Sequence, residues 1–158
     1  MTGCINRREM YARINRMTAR ANSALLMLDL DRFKNINDYY GHAAGDEVIV
    51  DFSRRIKNAL RNDDWAARIG GEEFVVWLPN VKPSSALQIT ERLRKDIEVT
   101  PLELDDVTIN YTVSIGLHIV ENDPPSLFDS WIKAADELLY RAKSEGRNRV
   151  VFNSELIA

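Results

Sequence analysis

The sequence contains few cysteines, glycines and prolines. It has one cysteine, seven glycines and five prolines in 158 residues. Cys4 alone cannot form an internal disulfide, which is typical of a reducing compartment. The longest useful apolar run, residues 24–28, is far too short to cross a bilayer, and no N-terminal stretch resembles a signal peptide. We therefore expect a cytoplasmic domain, within a full-length protein that other segments could attach to a membrane.

An excess of positive charge is also missing. The formal net charge is −3, so there is no general basic field to hold DNA or RNA by its phosphates, and we expect no nucleic-acid partner. Any phosphate binding must come from a local site. Apolar residues make up 45% and charged residues 28%, as in ordinary globular proteins, and the length suits one core. Residues 1–158 are therefore predicted to form a single domain.

The hydrophobic pattern predicts alternating helices and strands. Residues 24–28 are continuously apolar and indicate a buried central strand, whereas 107–119 alternate and indicate a long second strand. Two strand-like runs, 66–69 and 72–78, flank two glycines and predict a tight hairpin. Helical spacing occurs in residues 7–20, 33–40, 48–60, 86–97 and 127–142, and 149–152 indicate a closing strand. The predicted fold class is α/β, with a mixed central sheet flanked by helices.

Two carboxylates follow the most apolar strand. Asp29 and Asp31 stand at its end, where burial of a carboxylate is costly unless another charge compensates it. Magnesium coordination would provide that charge. The alternative is that Asp31 caps the helix beginning near Phe33.

A glycine pair followed by two acids lies in the predicted hairpin. Gly70 and Gly71 let the chain turn sharply, and a cation would relieve repulsion between Glu72 and Glu73. Taken alone, the segment is better explained by a type I′ turn with solvated glutamates. If the hairpin pairs with the strand 24–28, however, Asp29 and Glu72 could ligate one Mg²⁺, which prefers hard oxygen ligands. The N–H groups at the start of the Phe33 helix would then offer a phosphate site beside the metal.

Several motifs stand in the order typical of one family. The chain resembles the GGDEF family of diguanylate cyclases across nearly its whole length, with Gly70–Phe74 as the GGEEF form of the naming motif. The other matching segments are residues 29–38, 40–46, 113–116 and 134–148. The resemblance implies a palm-like nucleotidyl cyclase fold and a domain that joins two GTP molecules into cyclic di-GMP. It also implies that residues 1–158 are the C-terminal catalytic part of a longer protein, whose upstream sensory or dimerising segment is absent from this chain.

The resemblance implies a role for each matching position. Asp29, the Leu30 carbonyl and Glu72 would hold Mg²⁺, or Mn²⁺ in its place. Guanine would be read by Asn37 and Asp46, with His42 lining the pocket, and the phosphates would be held by the Phe33 N–H, Lys34, Lys143 and Arg147. Glu73 and Lys34 would assist the chemistry directly, Glu73 either by helping to bind a second metal or by accepting the 3′-hydroxyl proton.

A further resemblance concerns regulation. Arg61 and Asp64 reproduce the R-x-x-D pattern of the family's product-inhibition site at the same offset from the glycines, and Arg92 resembles its additional arginine. The alternative is a surface loop with a local ion pair. Because one domain would hold one GTP, catalysis would need a homodimer of domains.

The sequence is also compatible with two other functions. One is a catalytically silent module that senses GTP or cyclic di-GMP. The other is an adenylyl or guanylyl cyclase of a related palm fold, which closes the ring within one nucleotide.

Overall fold

A five-stranded sheet forms the centre of the molecule. The structure is a computed structural model that describes residues 3–17 and 22–153. The strands follow the spatial order β2–β3–β1–β6–β7, and all neighbours are antiparallel except β6 and β7. Their bounds are β1 Ser23–Leu30, β2 Trp65–Arg68, β3 Glu73–Leu78, β6 Val113–Val120 and β7 Val150–Phe152. A separate two-stranded sheet pairs β4, Leu102–Glu103, with β5, Thr108–Ile109.

Helices cover both faces of this sheet. They are α1 Arg7–Asn15, α2 Phe33–Tyr40, α3 His42–Ala59, α4 Pro83–Val99 and α5 Phe128–Ser144. Alternate β1 residues face two apolar cores: Leu26 and Leu28 pack with α3 and α4, while Leu25 and Met27 pack with α1 and α5. Because it is covered on both faces, β1 is buried along its whole length, and its sequence is therefore continuously apolar up to Asp29. The predicted α/β class is confirmed.

The predicted long strand at 107–119 is two elements. β5 ends at Ile109 and pairs with β4, and the central-sheet strand β6 begins only at Val113. Between them, buried Tyr111 crosses to the helical layer, where its hydroxyl donates to Asp51 at 2.6 Å. The alternating pattern continues through this crossing, so the sequence alone could not locate the break.

The predicted helices are present, but some of their ends differ from the prediction. The first helix ends at Asn15, and residues 18–20 of its predicted range lie outside the described residues. The third begins at His42 rather than at residue 48 and ends at Ala59, so Arg61 lies beyond the helix. α5 ends in a Schellman motif, with Gly146 at φ +127° and the Arg147 N–H donating to the Ala142 carbonyl at 2.9 Å. No helix among the described residues is long and apolar enough to cross a membrane.

Candidate active site

Pairing of β1 with β3 brings the two acidic motifs together. Asp29 is the register partner of Glu73, and the Leu30 N–H donates to the Glu72 carbonyl at 3.4 Å. The hairpin tip therefore lies against the end of the central strand. This is the arrangement that the sequence predicts.

The turn between β2 and β3 is wider than a type I′ hairpin. Four residues, 69–72, link the strands, and the Ile69 N–H donates to the Glu73 carbonyl at 3.0 Å. Neither Gly70 nor Gly71 has the positive φ that a type I′ turn requires. Arg68 fastens the turn by donating to the carbonyls of both glycines, at 2.7 Å to that of Gly71. The type I′ alternative is therefore wrong, and Arg68 is a contributor that the sequence did not reveal.

Asp29 carries buried negative charge that is only partly compensated. The residue is 3% exposed, and its Oδ1 has no hydrogen-bond partner among the described residues. Its Oδ2 accepts a hydrogen bond from Lys143 Nζ. Burial raises the pKa of Asp29, the Lys143 hydrogen bond and charge oppose that rise, and the charges of Glu73 and Asp31 add to it. Because burial raises the pKa more than Lys143 lowers it, the charge of Lys143 alone does not compensate the burial of this carboxylate.

Glu72 shares this excess charge. Burial raises its pKa first, and the neighbouring charge of Asp29 raises it further, while Lys143 lowers it. The side chain of Glu73 folds over the turn, its Oε2 lying 3.1 Å from where a β-carbon on Gly70 would be. Asp29 and Glu72 therefore share one neighbouring ammonium group, that of Lys143, and Glu73 adds negative charge beside them.

These residues fit a divalent cation. Mg²⁺ prefers hard, anionic oxygen donors. Asp29 and Glu72 are two carboxylates with raised pKa values, and Oδ1 of Asp29 is buried without a hydrogen-bond partner among the described residues. Within residues 3–17 and 22–153, no three His, Cys, Asp or Glu side chains are grouped closely enough to hold a metal by themselves. A site with only two carboxylates leaves positions for phosphate oxygens and water, as is usual for Mg²⁺.

Uncapped backbone donors lie next to the carboxylates. α2 begins at Phe33, after Arg32 with φ 56°, and no described side chain caps its first N–H groups. These N–H groups, with the positive end of the helix dipole, can accept an anion. Lys34 is 89% exposed and pairs with Asp38 at 3.4 Å. Lys143 lies in the last turn of α5, where its Nζ reaches Asp29, and Arg147 lies just beyond the end of that helix.

The predicted guanine readers lie on consecutive helices. Asn37 belongs to α2, whereas exposed His42 and Asp46 belong to α3. Gly41, at φ +93°, both ends α2 and precedes α3. At Gly45 an added β-carbon would lie 1.8 Å from Asn37 Oδ1. An alanine at Gly45 would therefore have to displace the Asn37 side chain, which the glycine leaves in position against α3.

The predicted inhibitory residues form two neighbouring cavities. Arg61 donates to Asp64 through Nε and Nη2 and to the Pro79 carbonyl at 2.7 Å. Asp64 has a fully buried side chain, so it supports Arg61 rather than facing solvent. Arg61 and Asp64 line one cavity of about 320 Å³, and exposed Arg92 lines another of about 320 Å³ beside Asn58 and Ala59. The structure does not bring Arg92 into the same cavity as Arg61.

Asp31 has a different role from the cap that one interpretation predicts. The α2 N-cap is Arg32, and the Asp31 carboxylate instead accepts hydrogen bonds from Thr112, Ser114 and the Asn148 N–H. The cap interpretation is wrong because these donors, between 81 and 117 residues distant, satisfy the carboxylate first. No local pattern in the sequence signals them.

Comparison with known proteins identifies the family. The family described as diguanylate cyclase, GGDEF domain, matches residues 1–149. Diguanylate cyclase A of Treponema denticola is 47% identical over 130 residues, which cover 82% of this chain and 35% of that protein. The response regulator PleD of Caulobacter vibrioides is 39% identical over 160 residues, covering 96% and 35%. The chain belongs to the GGDEF-domain diguanylate cyclase family, as the sequence motifs predict.

Solved structures agree with this assignment. The GGDEF domain of YfiN (TpbB) from Pseudomonas aeruginosa superimposes with a TM-score of 0.86 at 32% identity, covering 96% of this chain and 98% of that one. The GGDEF domain of DgcB from Caulobacter crescentus, solved with c-di-GMP, gives 0.86 at 30% identity, covering 96% and 89%. The chain spans 35%, 45% and 37% of the length of three curated relatives that it matches.

Proposed function

We propose that this domain is a diguanylate cyclase that condenses two GTP molecules into cyclic di-GMP and releases pyrophosphate. The observation that carries the proposal is the unpartnered buried Oδ1 of Asp29 beside Glu72. Asp29, the Leu30 carbonyl and Glu72 would hold Mg²⁺ or Mn²⁺, which when bound supplies positive charge to the phosphates and the attacking oxygen.

The chain's own residues then bind and orient GTP. The Phe33 N–H, Lys34, Lys143 and Arg147 hold the phosphates by charge-assisted hydrogen bonds. Asn37 and Asp46 read the guanine edge, with His42 lining the pocket. A carboxylate at Asp46 can accept from N1–H and N2–H₂ of guanine, a donor pair that adenine lacks.

The reaction joins two such half-sites. The 3′-oxygen of each GTP forms a bond to the α-phosphorus of the other. The bond from that α-phosphorus to the oxygen shared with the β-phosphorus breaks, and pyrophosphate leaves. Glu73 accepts the 3′-hydroxyl proton, and Lys34 neutralises charge on the departing pyrophosphate. Because the described residues contain one set of these groups, two domains must face each other as a homodimer. Cyclic di-GMP bound through Arg61, supported by Asp64, and through Arg92 would inhibit the pair.

Pyrophosphate release from GTP and Mg²⁺ tests the enzymatic assignment. We expect steady release by the parent and a loss of on the order of 100-fold or more in Asp29→Asn and Glu72→Gln, with folding retained. Glu103→Gln, the same change at an exposed position of strand β4, should match the parent. GTP binding by the parent without pyrophosphate release would favour the silent sensor, and near-normal turnover in Glu72→Gln would remove the metal assignment.

A further inference from the structure

We propose that Asp31 is a positioning residue that fixes Arg147 relative to Asp29. Its buried carboxylate fastens the loop after α5, which carries Arg147, to the loop after β1, which carries the carboxylates of the site. The inference rests on the proposed function only in that it takes Arg147 as a phosphate ligand.

The hydrogen bonds of Asp31 join three segments of the chain. Asp31 is 6% exposed, and its Oδ2 accepts from Thr112 Oγ1 at 2.6 Å and from the Asn148 N–H at 3.0 Å. Its Oδ1 accepts from Ser114 Oγ at 2.6 Å, and its own N–H donates to the Thr112 carbonyl at 3.0 Å. A buried carboxylate with this many donors has one defined position, because leaving any of them unpaired is costly.

The far side of this junction is also fastened. The side-chain amide of Asn148 donates to Glu98 and accepts from Arg94 Nη1 at 2.9 Å. Both partners lie on α4, so this helix also fixes the position of Asn148. Asn148 is therefore held between Asp31 and α4, on the chain position next to Arg147.

Arg147 needs such support because of its backbone. Arg147 and Asn148 have consecutive positive φ values of 66° and 47°. The left-handed region is unfavourable for an ordinary side chain, although asparagine tolerates it. Two consecutive residues adopt it only where surrounding contacts enforce it. Those contacts here are the Schellman bond of Arg147 and the Asp31 bond of Asn148.

A double-mutant cycle on ligand binding tests this coupling. The probe is 3′-deoxy-GTP with Mg²⁺, which cannot form product, titrated by calorimetry into the parent, Asp31→Asn, Arg147→Ala and the double variant. Asp31→Asn replaces one acceptor oxygen by a donor, so we expect roughly tenfold weaker binding. In the Arg147→Ala background the same change should weaken binding less than about threefold.

Asp51→Asn is the matched control. Asp51 is 2% exposed, accepts hydrogen bonds from the Tyr111 hydroxyl and Arg54 Nη2, and forms an ion pair with Arg55. None of these partners lies in the loop after α5. Its effect on binding should be the same with or without Arg147. Equal effects of Asp31→Asn in both backgrounds, or parent-like binding by Asp31→Asn, would overturn the inference.

A milder pair of variants covers a failure of Asp31→Asn to fold. Thr112→Val removes one donor to Asp31 and should weaken binding about threefold in the parent background only. Thr112→Ser keeps the hydroxyl donor and should bind the probe as the parent does. Since 3′-deoxy-GTP binding needs no turnover, a parent that binds the probe but makes no product refutes the proposed function alone. A parent that makes product but shows additive variants refutes the Asp31 inference alone, and absence of probe binding by the parent refutes both.

Discussion

Lys143 Nζ donates a hydrogen bond to Asp29 Oδ2, joining the last turn of α5 to the end of β1 across 114 residues. The lysine lowers the pKa of Asp29, but burial raises it more. The domain therefore folds with an unfavourable buried charge at the point where a metal would bind. Such a charge is typical of functional sites rather than of stabilising ion pairs.

The buried charge predicts a specific pH dependence of stability. The pKa of Asp29 in the folded protein lies above its ordinary value of 3.8. Protonation of Asp29 therefore contributes stability that is present at low pH and is lost as pH rises through the folded pKa. Asp29→Asn cannot ionise. Without metal, its free energy of unfolding relative to the parent should therefore increase from pH 3.5 upward and level off, by about 1.4 kcal/mol per unit of raised pKa. Urea unfolding at several pH values measures it.

Two further variants separate this effect from a loss of contacts. Asp136→Asn, the same change at an exposed position of α5, should show no such pH-dependent difference. Lys143→Met removes the opposing cation and should cost about 1–3 kcal/mol at neutral pH, with Mg²⁺ recovering part of the loss. If the difference in free energy of unfolding between Asp29→Asn and the parent does not change with pH, the pKa of Asp29 is not raised in the folded protein.

Gly45→Ala should destabilise the domain by about 1–3 kcal/mol, because its β-carbon would overlap Asn37 Oδ1. Adding Asn37→Ala should recover most of the loss, since it removes the overlapping atom. Gly71→Ala is the matched control, as nothing in the described part of the chain lies within 4 Å of its added β-carbon. Thermal or urea unfolding measures all four proteins. A neutral Gly45→Ala would mean that the Asn37 side chain moves aside without cost.

Catalysis by a pair of domains predicts that specific activity depends on protein concentration. While most domains are monomeric, doubling their concentration should raise the rate about fourfold by mass action. A fused dimerising coiled coil should raise activity at low concentration and flatten this dependence through effective concentration. Initial rates over a dilution series, with mass determined by light scattering, provide the test. Constant specific activity in a demonstrated monomer would contradict the paired mechanism.

Arg61→Ala should weaken product binding and inhibition. Asp64 and the Pro79 carbonyl already orient the guanidinium, so it is preorganised for a phosphate or guanine edge. Losing one charge-assisted contact should cost about 1.5–3 kcal/mol, or roughly tenfold or more in affinity for cyclic di-GMP. Calorimetry and initial rates measure the two effects, with Arg8→Ala on exposed α1 as the control. Parent-like binding and inhibition would show that Arg61 and Asp64 are only a surface ion pair.

Strongly periodic segments were predictable from the sequence. The apolar run of β1, the helical stripe of α5 and the glycine at the α5 C-terminus each reflect local physics, namely burial on both faces, helical spacing and positive φ. The meeting of Asp29 with Glu72 also followed from one assumption, the pairing of the hairpin with β1.

The remaining features depend on distant contacts. β4 and β5 are two residues each, too short for a period to show. The donors to Asp31 and the Lys143 bond to Asp29 join residues more than 80 positions apart. Arg68 is one arginine among many until the turn that it fastens is seen. Sequence reasoning therefore predicts which residues could hold ligands, whereas the structure reveals what holds those residues in place.

Identification of the product most directly tests the central claim. The protein is incubated with GTP and Mg²⁺ at a concentration that favours pairing, and nucleotides are separated by chromatography and identified by mass, with Glu72→Gln in parallel. We predict cyclic di-GMP and two pyrophosphates for each molecule formed by the parent, and neither by Glu72→Gln. Cyclic GMP as the product, or no product from a parent that binds GTP, would contradict the account.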